Sequence, residues 1–388
     1  MRFDDVLIPL DHSWSSPFVR WNGAAAFIDS LDLAAQVARD ALTRNPVDWR
    51  FAEVVLGWSI PQPAAFFGAP TLAARIGFPE ISGPMVAQAC ATSVAALHAA
   101  AASQHAAGDD CRLVVLTDRT SNSPHLVYPT PRGRPITEHW LLDNFDRDPL
   151  TDQPMIATAE CVAAQAGFTK EQLDAVAARR HEQYRDALAD DRAFQRPWMV
   201  PIATKNGALE ADEGPRPTTL EQLRALEPVG DGVTSMGTQT FPADGAAGMV
   251  LASAAALRER GVSGPVARVR ATGFGRAASG EMPKAPVPAA RAALDAAGLS
   301  IADVHVIKSH NPFVVNDLWF AQELGVDVDE LNPYGCSLVY GHPQGPTGAR
   351  GIVEMAHALR LRGGGIGLFT GCAAGDTGAA VVLEVDEV

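Results

Sequence analysis

Apolar and polar residues alternate along this chain in the pattern of a layered α/β protein. Residues 32–45 place apolar side chains three and four positions apart, which predicts an amphipathic helix, and residues 52–57 form an apolar run typical of a buried strand. The same order recurs near the other end, where a helical pattern over 286–298 precedes a strand pattern over 302–311. Strands that alternate with helices of ten or more residues predict sheets covered by helices.

The two ends of the chain resemble copies of one unit. The strand pattern of residues 111–118 corresponds to that of residues 364–371, and the same offset carries Cys90 to Pro343, next to His342. We therefore expect an α/β fold with two pseudo-repeated halves, in which the turns that carry Cys90 and His342 are equivalent. A coincidental match between Ala-rich helices is the alternative.

A different kind of sequence separates the halves. Residues 119–243 contain Pro-rich loop sequence and many charged residues, apart from one long amphipathic helix predicted from about Lys170 to Asp190. The apolar run over residues 246–253 predicts a strand that returns to the first half. We expect an N-terminal half (residues 1–118 and 244–262), an inserted covering loop domain (119–243) and a C-terminal half (263–388).

Composition and charge narrow the class of protein. At 388 residues and 47% hydrophobic content, the chain can form two or three globular domains. A net charge of -14 argues against nucleic acid or an anionic membrane as a partner, although local arginines could bind a phosphorylated ligand. The uncharged stretch 81–108 is rich in Ala, Ser and Gln, so we expect a strand, a turn and a buried helix there and no membrane span. The first residues do not resemble a secretory signal.

Five cysteines are spread along the chain without the spacing of a zinc site. We therefore expect no metal, and a reducing cytoplasmic location without disulfides. Cys111, Cys161 and Cys336 have no context for chemistry, and we interpret them as structural. Cys90 and Cys372 lie in turns that favour reactivity.

Cys90 follows an apolar strand and precedes an Ala-rich helix. The N–H groups at a helix N-terminus stabilise a thiolate, and the N–H of Cys90 could donate to an oxyanion. His342 lies in the turn GHPQGPTGAR, where it could take the thiol proton, and Thr347 is expected to cap the following helix. A buried small thiol and a core histidine are the structural alternatives.

Cys372 follows a strand predicted over 366–370 and opens the Gly-rich turn GCAAGDTG. A thiol near its free pKa is a suitable proton shuttle for a carbon acid. His310 ends a strand in SHNPF and could donate to an enolate oxygen, while Asn311 could cap the next turn and Phe313 could pack. Each residue alone has a structural explanation, but two Cys and two His at strand ends together favour catalysis.

These motifs resemble the thiolase family, within the thiolase/ketoacyl synthase superfamily, over nearly the whole chain. The segment CATS (90–93) is similar to the family's Cys-x-Ser motif, GHPQGPTGAR matches its GHP-x-G-x-TGAR motif, and GCAAGDTG stands at its Cys-x-Gly turn. The resemblance implies a fold of five layers, α-β-α-β-α, with an inserted covering domain. It also implies a homodimer or homotetramer, acyl-CoA and coenzyme A as substrates, no permanently bound cofactor, and a role in fatty acid metabolism.

The resemblance also implies a reaction, the reversible Claisen condensation or thiolysis of 3-ketoacyl-CoA. Cys90 would carry the acyl group with the help of His342, and Cys372 would move the proton of the carbon acid. The N–H groups of Cys90 and Ala374 would form one oxyanion hole, and His310 and His342 would form the other.

Substrate contacts are expected from Arg216 near the nucleotide, Thr240 beside the pantetheine arm, and Phe313. Other basic candidates for CoA binding are Arg132, Arg134, Arg179, Arg180 and Lys205.

Two departures from the family pattern keep other functions open. HNPF stands where Asn-Glu-Ala-Phe is frequent, and Ala374 replaces a glycine. A relative that binds acyl-CoA or lipid with weakened turnover is one alternative. A ketoacyl-synthase-type condensing enzyme and an unrelated Cys/His hydrolase are others, although neither would need Cys372.

Overall fold

The computed structural model describes residues 1–107 and 110–386. In chain order, its strands are β1 (Leu7–Pro9), β2 (Ser13–Ser15), β3 (Val19–Arg20), β4 (Phe51–Gly57), β5 (Met85–Val86), β6 (Cys111–Arg119), β7 (His125–Tyr128), β8 (Ile136–His139), β9 (Ile202–Thr204), β10 (Gly207–Leu209), β11 (Ala243–Leu251), β12 (Val266–Arg276), β13 (Val306–His310), β14 (Gly365–Ala373) and β15 (Thr377–Val385). The α-helices are α1 (Ser30–Arg44), α2 (Gly68–Ile76), α3 (Thr92–Ala107), α4 (Leu142–Asp146), α5 (Met155–Ala166), α6 (Lys170–Arg192), α7 (Leu220–Arg224), α8 (Ala254–Glu259), α9 (Pro286–Ala297), α10 (Val314–Leu324), α11 (Ser337–Tyr340) and α12 (Pro346–Arg362).

Two sheets of matching topology organise these elements. One has the order β1-β12-β15-β14-β13, and the other has the order β2-β11-β6-β4-β5 with β3 beside β11. In each sheet a parallel pair (β13–β14 or β4–β6) is followed by an antiparallel neighbour, β15 or β11. The corresponding places of β6 and β14 confirm the predicted repeat.

The first strand crosses between the halves. β1 pairs antiparallel with β12, so residues near the N-terminus complete the sheet of the second half. β11 pairs antiparallel with β6 and β2, so the strand that follows residues 119–243 joins the sheet that contains β4 and β6. The predicted domain boundaries stay a prediction.

Helices α3 and α12 lie between the two sheets and contact both of them. Helices α1 and α2 cover the outer face of the β4 sheet, and α9 covers that of the β14 sheet, with α10 packed beside it. The middle layer requires small residues, because a Cβ at Gly348 would lie 2.8 Å from the Cβ of Ser93. This arrangement agrees with the predicted five-layer α/β fold.

The elements from β7 to α7 form the inserted covering segment, and most of them are short. The predicted long helix is present as α6, and Thr169 and Gln172 form a capping box at its start. Its last turn departs from helical geometry at residues 189–191. No helix in the described part of the chain is long and apolar enough to cross a bilayer. Residues 85–107 form β5, a 3-10 turn and α3, as predicted.

A buried ion-pair network joins α12 to the covering segment. Both guanidinium NH groups of Arg350 donate to Asp212, at 2.6 and 2.8 Å, and its Nε donates to Glu354 at 2.9 Å. The Arg350 guanidinium also stacks 3.7 Å from the ring of Tyr340. All the charges are removed from solvent, so each depends on its partners.

Replacing Asp212 with Ala should destabilise the protein by about 3 kcal/mol or more, because Arg350 would keep only one of its two buried carboxylate partners. A shift of the urea midpoint measures the effect. Glu213→Ala is the matched control, since its partner Arg20 is more than half exposed, and it should cost about 1 kcal/mol or less. Equal midpoints for the two variants would contradict the importance of this network.

Candidate active site

Cys90 lies at the entrance to α3, as the sequence predicts. It belongs to a 3-10 turn, Ala89–Ala91, that connects β5 to the helix. The hydroxyl of Thr92 donates to the Ala89 carbonyl at 2.7 Å and accepts from the Gln88 N–H at 2.8 Å. Ala89 itself has a left-handed φ of 45°, which is uncommon for a residue with a Cβ. The turn is therefore fixed on both sides of the thiol.

His342 stands directly opposite the thiol. Its Nε2 lies 3.2 Å from Cys90 Sγ, and its Nδ1 lies 2.6 Å from the hydroxyl of Thr347. The prediction that Thr347 caps α12 is wrong, because the helix already begins at Pro346 and the hydroxyl is occupied by the imidazole. The hydrogen bond between Nδ1 and Thr347 thus fixes the orientation of the ring and leaves Nε2 free to interact with the sulfur.

Ser93 links the two equivalent turns. Its hydroxyl accepts from the Ala349 N–H at 2.7 Å and donates to the carbonyl of Gly345. A residue of α3 therefore satisfies backbone groups at the start of α12. This cross-bond fixes the position of the Cys90 turn relative to the His342 turn.

His310 stacks on His342, with ring centroids 4.1 Å apart. It is the last residue of β13, its Nδ1 lies 2.9 Å from the Ser337 hydroxyl, and its Nε2 is buried without a partner among the described residues. The ligating atoms of Cys90, His310 and His342 lie within 4.8 Å of one another. The same three groups are therefore close enough to hold a metal ion, although the sequence predicts none.

Cys372 is the penultimate residue of β14, so the strand runs further than predicted and the turn begins after it. Its sulfur accepts a hydrogen bond from Asn316 Nδ2 at 3.2 Å. The Oδ1 of Asn316 accepts from the Phe313 N–H at 3.3 Å, which orients the amide nitrogen toward the sulfur. Cys372 is buried and close enough to Cys90 for the two thiols to interact electrostatically.

Burial keeps all four groups neutral at rest. It raises the pKa of Cys90 to about 12, against the opposing effect of the N–H groups of Ala374 and of Cys90 itself. Burial also raises the pKa of Cys372, and the nearby Cys90 adds to that shift. The pKa of His310 falls to about 3, and the pKa of His342 falls well below its usual range, because a buried imidazolium loses hydration and the two rings adjoin. Thiol and imidazole are therefore poised to exchange a proton rather than already paired as ions.

A cavity of about 360 Å³ opens onto this cluster. Its wall is mostly apolar and is formed by Cys90, Phe145, Asp146, Pro154, Met155, Ile156, Val229, Met236, Gln239, Thr240, Phe241, Pro242, Met282, Pro312, Phe313, His342, Gln344 and Ala374. His310 and Cys372 are each 1% exposed and lie behind this wall. Five of the predicted site residues therefore line the cavity directly, and these two support it.

Two family models match the chain: the thiolase N-terminal domain over residues 12–255 and the thiolase C-terminal domain over residues 263–385. The chain belongs to the thiolase family. This confirms the family, fold and enzyme class that the sequence predicts, so the protein is an acyltransferase.

Individual relatives agree with this assignment. The chain is 30% identical to a 3-ketoacyl-CoA thiolase of Erwinia tasmaniensis, with 98% of this chain and 97% of the relative covered. It is 30% identical to an acetyl-CoA acetyltransferase of Escherichia coli, with 94% and 95% covered. The crystal structure of human mitochondrial 3-ketoacyl-CoA thiolase in complex with CoA superimposes with a TM-score of 0.92, at 25% identity and 99% coverage of both chains.

The basic residues suggested for CoA binding differ in environment within this thiolase. Arg216 is exposed and is not part of the cavity wall, whereas Thr240 and Phe313 line the cavity. Arg180 is fully buried in an ion pair with Asp317, so its charge serves the packing of the protein and is not available to coenzyme A. Arg132, Arg134 and Lys205 are exposed, and Arg179 lies within ion-pair distance of Glu182.

Sequence reasoning missed two polar residues that touch the thiols. Gln344 Oε1 accepts from Cys90 Sγ at 3.3 Å, and Asn316 donates to Cys372. Gln344 could have been noticed as a polar residue inside the GHPQG turn. Asn316 gives no such signal, because it lies on α10 and reaches β14 only through packing.

Proposed function

We propose that this thiolase cleaves or forms 3-ketoacyl-CoA through an acyl group carried by Cys90. In thiolysis, Cys90 gives its proton to His342 Nε2 and attacks the ketone carbon, and a sulfur–carbon bond forms. The adjoining carbon–carbon bond then breaks, and its electron pair leaves as the enolate of acetyl-CoA. Cys372 protonates that enolate, so acetyl-CoA departs and the acyl group stays on Cys90. The 3.2 Å contact between His342 and Cys90 is the observation that carries this proposal.

The second half-reaction returns every group to its starting state. The thiol of a second coenzyme A gives its proton to the Cys372 thiolate and attacks the acyl carbon. The sulfur–carbon bond to Cys90 breaks, and the sulfur recovers its proton from His342. Condensation follows the same steps in reverse, with Cys372 removing the proton from acetyl-CoA.

Two oxyanion holes support these steps. The N–H groups of Cys90 and Ala374 converge on the sulfur, where they would meet the oxygen of the acyl group. His310 and His342 would meet the enolate oxygen, and the partnerless Nε2 of His310 supports that role. Ala374 keeps the N–H that the reaction needs despite its methyl group.

Substrate binding is proposed along the cavity. Thr240 and Phe313 line it and would contact the pantetheine arm and the substrate, while exposed Arg216 would meet the nucleotide end of coenzyme A. The human mitochondrial relative, whose fold this chain shares over 99% of its length, was crystallised in complex with CoA, which supports CoA as the ligand proposed here. A role in fatty acid metabolism is proposed from the relatives named 3-ketoacyl-CoA thiolase.

The proposed assembly is a homodimer or homotetramer in the cytoplasm. Strand β5 lies at an edge of its sheet and is only partly covered, which supports pairing with a second copy. The five cysteines are free, as expected in a reducing compartment. The domain boundaries at residues 118, 244 and 262 are proposed from the change in composition after residue 118 and from the strand that returns at residues 246–253.

The decisive test is incubation with a panel of 3-ketoacyl-CoA esters, followed by intact-mass analysis and measurement of acetyl-CoA release. We expect one acyl group on Cys90 before coenzyme A is added, and its loss afterwards. A protein that binds the esters without any covalent adduct would instead be the binding relative considered above. Acylation of Cys90 without release of acetyl-CoA would reject the proposed role of Cys372 as the acid that protonates the enolate.

The rate of Cys90 acylation should be nearly constant between about pH 7 and about pH 9. Above its lowered pKa, His342 is the neutral base, and below its raised pKa, Cys90 keeps the proton that the base removes. The reactive pair therefore persists across this window, and the rate should fall only on the acid side of the His342 pKa. Rapid-quench acylation across this range measures it, and a tenfold rise between the two ends would mean that an ordinary thiol ionisation controls the step.

A further inference from the structure

Gln344 places an unused hydrogen-bond donor beside the nucleophile. Its Oε1 accepts from Cys90, whereas its Nε2 is buried and has no partner among the described residues. The residue is 3% exposed, yet it lines the cavity. A buried donor without an acceptor costs about 1–3 kcal/mol, so an oxygen brought in by a ligand would recover that free energy.

The backbone holds this amide in a fixed place. Gln344 has a left-handed φ of 64°, which is unfavourable for a residue with a Cβ. The next N–H, that of Gly345, donates to buried Asp118 at 2.8 Å, and the Gly345 carbonyl accepts from Ser93. Because these neighbours fix the turn, the Gln344 side chain already faces the cavity and the backbone need not move when a ligand binds.

The donor is surplus to the chemistry of carbon–carbon cleavage. The two carbonyl oxygens of the proposed reaction already have four donors, from the backbone of Cys90 and Ala374 and from His310 and His342. Gln344 Nε2 is a fifth donor. Because its partner oxygen lies 3.3 Å from the Cys90 sulfur, Nε2 lies no more than one amide width beyond that distance from the acyl attachment point. It can therefore reach an oxygen on the first or second carbon beyond the acyl carbonyl.

The cavity wall restricts the charge of that oxygen. Among the described residues that line the cavity, Asp146 is the only one with a formal charge near neutral pH. A carboxylate on the acyl group would enter a cavity whose wall carries this negative charge and, in the part of the chain that the structure describes, no cation to compensate it. A hydroxyl or keto oxygen carries no such penalty.

We propose that Gln344 selects acyl groups that carry a neutral oxygen on the first or second carbon beyond the acyl carbonyl. This inference rests on the proposed function, because it requires the acyl group to be attached to Cys90. Gln344 Nε2 donates to the substituent while Oε1 faces the sulfur.

The test compares the rates at which butanoyl-CoA, 2-hydroxybutanoyl-CoA and 3-hydroxybutanoyl-CoA acylate Cys90, followed by intact mass. The wild-type protein should react about 10-fold or more faster with at least one hydroxy ester than with butanoyl-CoA. Gln344→Met keeps the length of the side chain but removes the donor, and its ratio should fall to near one. Gln239→Met, which changes another glutamine of the same wall, is the matched control and should keep the wild-type ratio.

Each outcome separates this inference from the proposed function. Acylation by all three esters at equal rates in the wild-type protein would overturn the inference and leave the proposed function standing. A preference that survives in Gln344→Met would also overturn it. Failure of every ester, including unsubstituted 3-ketoacyl-CoA, to acylate Cys90 would reject the proposed function and the inference together. If Gln344→Met does not fold, equal acylation rates for the three esters in the wild-type protein would still overturn the inference.

Discussion

Replacing Cys90 with Ala should abolish the acyl-enzyme and lower thiolysis by about four orders of magnitude or more. The Cys90 sulfur lies 3.2 Å from His342 Nε2. Among the described residues, no other thiol contacts this nitrogen or lines the cavity. Without its sulfur, no group can hold the acyl chain between the two half-reactions. Intact mass after incubation with an acyl-CoA ester measures the adduct directly, and release of acetyl-CoA measures turnover.

The matched control for this experiment is Cys161→Ala. Cys161 is partly exposed on α5, does not line the cavity, and accepts a hydrogen bond from the nearby Gln165 at 3.3 Å, so its loss should leave acylation at the wild-type level. An adduct that persists in Cys90→Ala, or that disappears in Cys161→Ala, would place the nucleophile elsewhere.

Replacing Cys372 with Ala should separate the two halves of the chemistry. Acylation of Cys90 by a simple acyl-CoA should continue, although more slowly, because the Cys90 proton still goes to His342 and the departing coenzyme A thiolate can take a proton from water in place of Cys372. Carbon–carbon cleavage and condensation should fall by about 10²–10⁴-fold, because the enolate loses its acid and acetyl-CoA loses its base. Exchange of deuterium from solvent into the methyl group of acetyl-CoA measures the lost proton transfer independently of turnover.

Two further variants show whether the sulfur itself is needed. Cys372→Ser keeps the size of the side chain but replaces the thiol by a much weaker acid, so it should lose exchange as Cys372→Ala does. Asn316→Leu removes the hydrogen bond to the sulfur and should slow exchange more than acylation. Normal exchange in Cys372→Ser would exclude the thiol as the proton shuttle.

Local sequence was sufficient for the elements that carry the chemistry. Apolar periodicity correctly predicted α1, α6, α9 and the buried strands, because these segments place their apolar faces against clusters of buried side chains. The turns around Cys90 and His342 were also predictable, since Cys90 directly precedes an Ala-rich helix and His342 lies between a Gly and a Pro shortly before another helix. The capping role of Thr347 was not, because an imidazole from the same turn competes for its hydroxyl.

Contacts between distant segments escaped prediction. Asp212 lies in loop sequence and gives no sign that it neutralises Arg350 in the middle layer. Asn316 looks like an ordinary helical residue until α10 is packed against β14. The position of Cys372 and His310 behind the cavity wall depends equally on packing.

The sequence alone determined the family, the layered α/β architecture and the identity of the four reactive side chains, because residue type and local backbone geometry are written in short motifs. Only the tertiary structure decided their distances, their neutral state at rest, and the free amide nitrogen of Gln344. Those properties depend on how completely the fold excludes water from the site and on which side chains from distant segments come into contact there. No local sequence pattern encodes either of them.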